Sequence, residues 1–130
     1  MGELVTGGCK CGLVRYQGVR IDAPMFRCHC RDCQQLTGGG HSEMIPLDIT
    51  TFAIGDACRI FEMAGGSGQP TFSGFCPGCG CPLTRRSTRM SDRIYVHAGS
   101  LDAPGSYSPE QSIYASDAQA WDRCSVIKDR

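Results

Sequence analysis

Seven of the ten cysteines fall in three tight clusters whose spacing is typical of metal binding. The clusters are Cys9-Lys10-Cys11, Cys28-His29-Cys30-Arg31-Asp32-Cys33 and Cys76-Pro77-Gly78-Cys79. Thiolates one or two residues apart can surround a single Zn²⁺, with Zn–S bonds of about 2.3 Å. Cysteines this close do not readily bridge to each other, so a disulfide framework explains the spacing poorly. The clusters therefore predict zinc sites.

The number of cysteines in each cluster predicts two kinds of metal site. Two pairs make one closed four-thiolate site, which is usually structural, whereas three ligands with an open fourth position are typical of a catalytic zinc. The favoured assignment gives the structural zinc to Cys9, Cys11, Cys76 and Cys79, and the second zinc to Cys28, Cys30 and Cys33. An alternative joins the first pair to the middle cluster and completes the last pair with Cys81. Spacing alone leaves both pairings open.

The middle cluster carries the most chemistry. Metal coordination deprotonates a thiol and so provides a nucleophile at neutral pH, and a metal also polarises a carbonyl as a Lewis acid. The site would instead be structural if Cys81, Cys124 or His29 filled its fourth position. His29 alternates with the cysteines, so we expect it to point away and to act as a supporting or surface residue. A redox cluster without metal is a further alternative.

Phe75-Cys76-Pro77-Gly78-Cys79-Gly80 has the form of a zinc knuckle that follows an apolar strand. The glycine permits the tight turn that directs backbone amides towards the sulfurs. A thioredoxin-like redox pair is the competing interpretation, but that motif requires a helix after the first cysteine. Pro82 and further strand-like sequence follow here, which favours the knuckle.

Several other residues have a functional and a structural interpretation, and the structural one is favoured for each. The segment 37–42 could bind an anion with its backbone amides, but a helix stop is the commoner use of three glycines. Arg85 and Arg86 could hold a carboxylate, but solvated strand residues are commoner. Cys58 is predicted to be buried as an apolar residue, and Trp121 to be part of the core rather than a pocket wall.

Length and charge bound the class of protein. The 130 residues predict a single zinc-binding domain spanning 1–130, and lysine plus arginine equals aspartate plus glutamate at 13 each. The basic excess expected of a nucleic-acid-binding protein is therefore missing. The sequence contains no run of about 18 apolar residues, so no membrane span is predicted. The first residues lack the basic and apolar regions of a secretory signal, so we expect the cytoplasm, where clustered cysteines favour metal; a secreted disulfide protein is the alternative.

Short β-like segments predominate in the rest of the chain. They are 12–19, 40–45, 58–63, 71–75, 82–86, 93–98 and 112–115. One helix of two turns is predicted over 31–37, stopped by Gly38, and a single turn is predicted after Asp48 as its N-cap. The segment 65–68 is typical of a hairpin tip. The chain is thus predicted to be a small, mostly-β domain of short antiparallel strands with one or two helical turns, in which zinc compensates for a limited apolar core.

Taken together, the motifs resemble those of the glutathione-dependent formaldehyde-activating family, which shares its domain with centromere protein V. The resemblance extends from about Gly7 to Trp121. It rests on Gly8-Cys9-Lys10-Cys11-Gly12 with Val14-Arg15-Tyr16, the middle cluster with Gln34 and Thr37-Gly38, the zinc knuckle, and Gly99-Ser100-Leu101-Asp102. Cys81 departs from the pattern, because the family more often has threonine or serine before Pro82-Leu83.

The resemblance implies a β-tent fold with two Zn²⁺ ions per chain and the same division of ligands as the favoured assignment. It implies a carbon–sulfur lyase type of enzyme, with a small-molecule thiol and an aldehyde as partners. The expected reaction adds the thiol of glutathione, as co-substrate, to formaldehyde and gives S-hydroxymethylglutathione. The alternative is a zinc-stabilised binding or scaffold domain without catalysis, and the fourth position of the middle-cluster zinc distinguishes the two.

Overall fold

Ten strands in two sheets form the framework of the computed structural model, which describes residues 2–128. The strands are β1 (Leu4–Gly8), β2 (Arg15–Val19), β3 (Phe26–Cys28), β4 (Ser42–Asp48), β5 (Ala53–Ile54), β6 (Arg59–Ala64), β7 (Pro70–Phe75), β8 (Pro82–Ser87), β9 (Arg93–His97) and β10 (Gln111–Ile113). The small sheet has the order β1-β2-β5, and the large sheet has the order β10-β3-β4-β9-β8-β7-β6. The predicted mostly-β fold is confirmed.

Among the residues described, one α-helix, α1 (Arg31–Thr37), interrupts the strands, as predicted. The Cys30 side chain caps its N-terminus by accepting a hydrogen bond from the Cys33 amide. Gly38 ends the helix in the left-handed conformation with φ of 75°, which glycine adopts without steric cost. Short 3₁₀ segments account for the remaining helical residues: Ile49–Thr51, Thr88–Met90, Ala98–Ser100, Pro104–Ser106, Ala115–Asp117 and Ala120–Ser125. No helix among residues 2–128 has the length and apolarity needed to cross a membrane.

Neighbouring strands are antiparallel except at one edge of the large sheet. There β10 lies parallel to β3, with Ile113 opposite Cys28. The sequence prediction of antiparallel strands does not cover this pair, because β10 reaches the sheet after a long connection rather than through a hairpin. The parallel pairing brings the chain that follows β10 next to the middle cysteine cluster.

The core lies between the two sheets. Strand β4 turns Ile45 and Leu47 towards it, because successive side chains of a strand point to opposite faces. Tyr16 from the small sheet completes the packing and bonds through its hydroxyl to the Ser100 hydroxyl at 2.6 Å. The other buried apolar members are Val5, Cys9, Val14, Met25, Cys76, Leu83, Ile94, Val96, Ala98 and Leu101. The two turns with paired cysteines therefore begin inside the core.

The opposite face of the large sheet carries the middle cysteine cluster. Cys28 pairs with Ser42 across β3 and β4, so their side chains share this face. Arg85 pairs with Tyr95 across β8 and β9 and lies on the same side. The alternation of the strands thus separates the apolar core from a polar cavity.

The seven predicted strands overlap observed ones, and β1, β3 and β5 are not among the predictions. β3 and β5 have three and two residues, too few to show a period-2 pattern. The prediction that Trp121 belongs to the core is wrong, since its side chain is 70% exposed. In the 3₁₀ segment Ala120–Ser125, the residue after Trp121 faces inward instead: the Asp122 carboxylate contacts His41.

Candidate metal centres and cavity

Four cysteine thiols converge where two distant turns meet. Cys9 and Cys11 lie between β1 and β2, and Cys76 and Cys79 lie between β7 and β8. The four sulfurs, which we call the four-cysteine site, lie within 4.8 Å of one another, with 3.7 Å between Cys9 and Cys11 and 3.6 Å between Cys11 and Cys76. A tetrahedral zinc with thiolate bonds of 2.3 Å places its sulfurs about 3.8 Å apart, so the donor set fits this ion.

Backbone amides support thiolates at the four-cysteine site. The Val14 amide donates to the Cys9 sulfur at 3.2 Å, and the Gly78 amide donates to the Cys76 sulfur at 3.3 Å. Backbone hydrogen bonds, that of Cys11 first, lower the pKa of Cys79 to about 6. Thiolate is the form of cysteine that binds a metal. The turn that carries Cys79 thus favours the ligating state of this cysteine.

Three more thiols converge at the junction of β3 and α1. The sulfurs of Cys28, Cys30 and Cys33 lie within 4.8 Å of one another and form the three-cysteine site. The Cys33 amide donates to the Cys30 sulfur at 3.3 Å. Hydrogen bonds from the Cys28 thiol and then the Cys33 thiol lower the pKa of Cys30. The three residues can therefore present a shared negative charge to a cation.

No fourth protein donor completes the three-cysteine site within residues 2–128. Cys81 and Cys124 belong to no group of converging donors in this part of the chain. His29 is fully buried and bonds through Nε2 to the Ser112 hydroxyl at 3.0 Å, so its ring points away from the sulfurs. Cys9 and Cys11 converge with Cys76 and Cys79 rather than with the middle cluster. This is the arrangement that the favoured assignment expects.

A cavity of about 330 Å³ opens over the three-cysteine site. Three arginines and two aspartates line it, which gives its wall an excess of positive charge: Arg31, Arg85, Arg89, Asp32 and Asp117. Apolar walls are provided by Phe26, Met44, Tyr95 and Ile113. A cavity of this size with a few polar groups is typical of a small-molecule site.

Two residues of the cavity wall, Arg85 and Ser42, were not predicted to be part of a functional site. The Arg85 guanidinium donates to the Cys33 sulfur at 3.3 Å, so the interpretation of Arg85 as a solvated strand residue is wrong. Arg86 points to the other face and stacks on the Phe72 ring at 4.7 Å. The Ser42 hydroxyl is buried and lines the cavity, and among the described residues it has no close partner apart from the neighbouring Cys33 thiol. Sequence reasoning missed Ser42 because a lone serine in a strand carries no local signal.

Tyr114 forms part of the rim opposite the hairpin between β6 and β7. Its φ of 53° lies in the left-handed region, which is uncommon for residues other than glycine. The hairpin tip at Gly65 and Gly66 lines the cavity across from it, and a Cβ on Gly66 would lie 3.3 Å from the Tyr114 hydroxyl. The left-handed turn that ends β10 thus places an aromatic ring at the cavity mouth.

Comparison with known proteins identifies relatives of this chain. Residues 4–117 match the family described as glutathione-dependent formaldehyde-activating enzyme. A protein of Halomonas elongata named "Putative glutathione-dependent formaldehyde-activating enzyme" is 27% identical over 113 residues, which cover 83% of this chain and 72% of the relative. The crystal structure of a Rhodobacter sphaeroides protein has the same fold, with a TM-score of 0.62 and 17% identity over 75% of this chain and 87% of that chain.

The two cysteine sites are expected to respond differently to substitution. Cys76→Ser removes a fully buried thiol that links the two distant turns, and we expect this variant to unfold. Cys30→Ser changes a half-buried thiol at the cavity, and we expect it to stay folded. Circular dichroism and an amide NMR spectrum at 25 °C distinguish these outcomes.

Cys124→Ser is the control for the loss of a thiol, since Cys124 is exposed and outside both sites. It should unfold at the same temperature as the unsubstituted protein. Equal loss of structure in the Cys76 and Cys30 variants would show that the two sites do not divide into structural and functional roles.

Proposed function

Since the chain belongs to the glutathione-dependent formaldehyde-activating enzyme family, we propose that it catalyses the addition of a thiol to a small aldehyde. Glutathione and formaldehyde are the proposed pair, and S-hydroxymethylglutathione is the product, as in a carbon–sulfur lyase running in reverse. One observation carries the proposal: three converging thiols form the floor of a cavity, and no fourth protein donor joins them among residues 2–128. That arrangement leaves room for a reactant next to the cysteines.

The donor sets support two zinc ions per chain. The four-cysteine site would hold a structural ion, and the three-cysteine site would hold the ion that takes part in the reaction. A zinc ion with an open position supplies Lewis acidity and lowers the pKa of a nearby thiol. The protein determines where the two reactants lie relative to that ion.

Charge on the cavity wall suits an anionic thiol. Glutathione has more carboxylates than ammonium groups and is a net anion at neutral pH. Arg85 lies against the Cys33 sulfur, and Arg31 and Arg89 extend the positive surface along the cavity. Arginine binds carboxylates through paired hydrogen bonds. The wall can therefore hold a glutathione carboxylate while its sulfur reaches the three-cysteine site.

Ser42 is placed to assist the carbonyl oxygen. During addition, the thiol loses its proton, a carbon–sulfur bond forms, and the aldehyde oxygen gains a proton. The Ser42 hydroxyl is buried at the cavity beside Cys28, so it can donate to an oxygen that becomes negative there. Holding both reactants in the cavity replaces a chance encounter in water with an oriented one.

A reducing compartment suits this chemistry. All ten cysteines are free thiols, and the proposed reaction consumes a thiol. Disulfides form in oxidising compartments and would remove the ligands of both sites. We therefore place the reaction in the cytoplasm.

NMR exchange spectroscopy on a mixture of formaldehyde and glutathione tests the proposed reaction. Because addition also occurs without a catalyst, the rate of exchange at equilibrium is the informative quantity. We expect the two-zinc protein to accelerate exchange between glutathione and S-hydroxymethylglutathione, and the Cys30→Ser variant to leave the uncatalysed rate unchanged.

The Cys124→Ser variant serves as the matched control and should accelerate exchange as the unsubstituted protein does. No acceleration by folded protein that carries two zinc ions would refute the reaction with this pair. A binding domain without catalysis would then be the better description.

Neighbouring arginines allow a matched test of glutathione binding. Arg85→Gln removes the guanidinium at the cavity, and we expect the KM for glutathione to rise about tenfold, the usual worth of one hydrogen bond to a charged group. Arg86→Gln makes the same change on the opposite face, and its KM should change less than about twofold. Saturation curves of the catalysed exchange supply both values. Equal KM values in the two variants would show that Arg85 does not contact the thiol substrate.

A further inference from the structure

A second group of potential metal ligands lies on the other face of the large sheet. His29, His41 and Asp122 form what we call the histidine–aspartate cluster, and their nearest donor atoms lie within 4.8 Å of one another. His29 follows β3, His41 precedes β4, and Asp122 comes from the 3₁₀ segment Ala120–Ser125. None of these residues contributes to the proposed reaction. A metal ion bound here would not depend on that reaction.

Both histidines turn the same nitrogen towards the carboxylate. The Nδ1 atoms of His41 and His29 lie 2.7 Å and 3.5 Å from the Asp122 Oδ2 atom. Metal bonds of about 2.0–2.2 Å to such donors place neighbouring ligand atoms about 3 Å apart. The observed separations bracket this value, so small side-chain movements would accommodate one ion.

The far nitrogen of each ring already has a partner. His29 Nε2 lies 3.0 Å from the Ser112 hydroxyl. The Ser112 oxygen also accepts a hydrogen bond from the Ile127 amide at 2.8 Å. His41 Nε2 lies 3.0 Å from the Glu43 carboxylate. Histidines that bind metals usually hold the second nitrogen in this manner, and such bonds orient the ring and select its tautomer.

An unpartnered buried atom points into the cluster. His29 is fully buried, and its Nδ1 has no hydrogen-bond partner in the described structure. In the tautomer that carries its proton on Nε2, with the Ser112 hydroxyl as acceptor, His29 directs a lone pair on Nδ1 towards Asp122. A carboxylate only accepts hydrogen bonds, so a lone pair that faces it is repelled unless a cation lies between them. A metal ion would satisfy both groups.

Space for the carboxylate depends on a glycine. A Cβ on Gly40 would overlap the Asp122 carboxylate, so this glycine permits Asp122 to approach the histidines. The remaining contacts are compatible with an ion: the Ser125 hydroxyl lies 3.4 Å from His41 Nδ1 and donates to the Asp122 carbonyl at 2.7 Å.

We propose that the histidine–aspartate cluster binds one divalent first-row transition metal ion. Two imidazole nitrogens and one carboxylate oxygen form a donor set that such ions prefer, and hard ions such as Mg²⁺ and Ca²⁺ prefer oxygen alone. The ion would join the segment that carries Asp122 to the chain on either side of α1. It would be a third site, without thiolates.

Cobalt titration of the full chain, with both cysteine sites first filled with zinc, tests this proposal. Calorimetry should show one Co²⁺ bound per chain, and the absorption spectrum should show weak d–d bands without the sulfur-to-cobalt charge-transfer band of a thiolate site. Asp122→Asn and His41→Gln should each weaken binding at least a hundredfold, because each removes a ligand rather than an outer contact.

Cys124→Ser is the matched control, because Cys124 lies in the same 3₁₀ segment, is exposed and belongs to no group of converging donors in the described structure. Its affinity for Co²⁺ should stay within about threefold of the unsubstituted value, well below the effect of losing a ligand. Amide spectra establish that each variant is folded. The proposal is refuted if the zinc-filled protein binds no Co²⁺, if the bound Co²⁺ shows the charge-transfer band, or if folded Asp122→Asn and His41→Gln bind as well as the control. The cluster would then be a hydrogen-bond network in which His41 joins Asp122 to Glu43.

Discussion

The meeting of four thiols from two turns is the constraint on which the rest of the structure depends. Cys11 and Cys76 are 65 positions apart, yet their sulfurs lie 3.6 Å apart. The contact fixes the small sheet against the large sheet at the point where both turns leave the core. The strands are short, and a chain of this length buries a limited apolar area. Four converging thiolates would repel one another, so the zinc ion proposed for this site would stabilise the junction by offsetting their charge.

Strand alternation then allows one sheet to serve several purposes. In β4, Ile45 and Leu47 pack in the core, whereas Ser42 and Met44 face the cavity. In the segment that begins with β3, Cys28 and Cys30 point to the three-cysteine site, and His29 between them points to the histidine–aspartate cluster. Residues that are adjacent in sequence therefore belong to different sites. This arrangement explains how a small domain can hold two groups of donors on opposite faces of the same strands.

Local spacing predicted much of the fold and of the donor groups. The three cysteine clusters, the helix from Arg31 to Thr37 and its stop at Gly38 all follow from interactions between residues close in sequence. Properties that depend on distant contacts were predicted poorly. Arg85 lies at the cavity because β8 runs beside β9, and Trp121 is exposed because Asp122 faces inward. The parallel pairing of β10 with β3 also joins segments that are far apart in sequence, so no local pattern predicts it.

Zinc K-edge X-ray absorption on protein that carries two zinc ions per chain tests the central claim, that one cysteine site is closed and the other is open. A four-thiolate site and a three-thiolate site with one light ligand average to about 3.5 sulfur atoms and 0.5 oxygen or nitrogen atoms per zinc. Our account predicts this average, and it predicts a rise towards four sulfur atoms when glutathione is added. Four sulfur atoms per zinc without glutathione would contradict the account, because a protein thiolate would then already fill the position that we assign to the substrate.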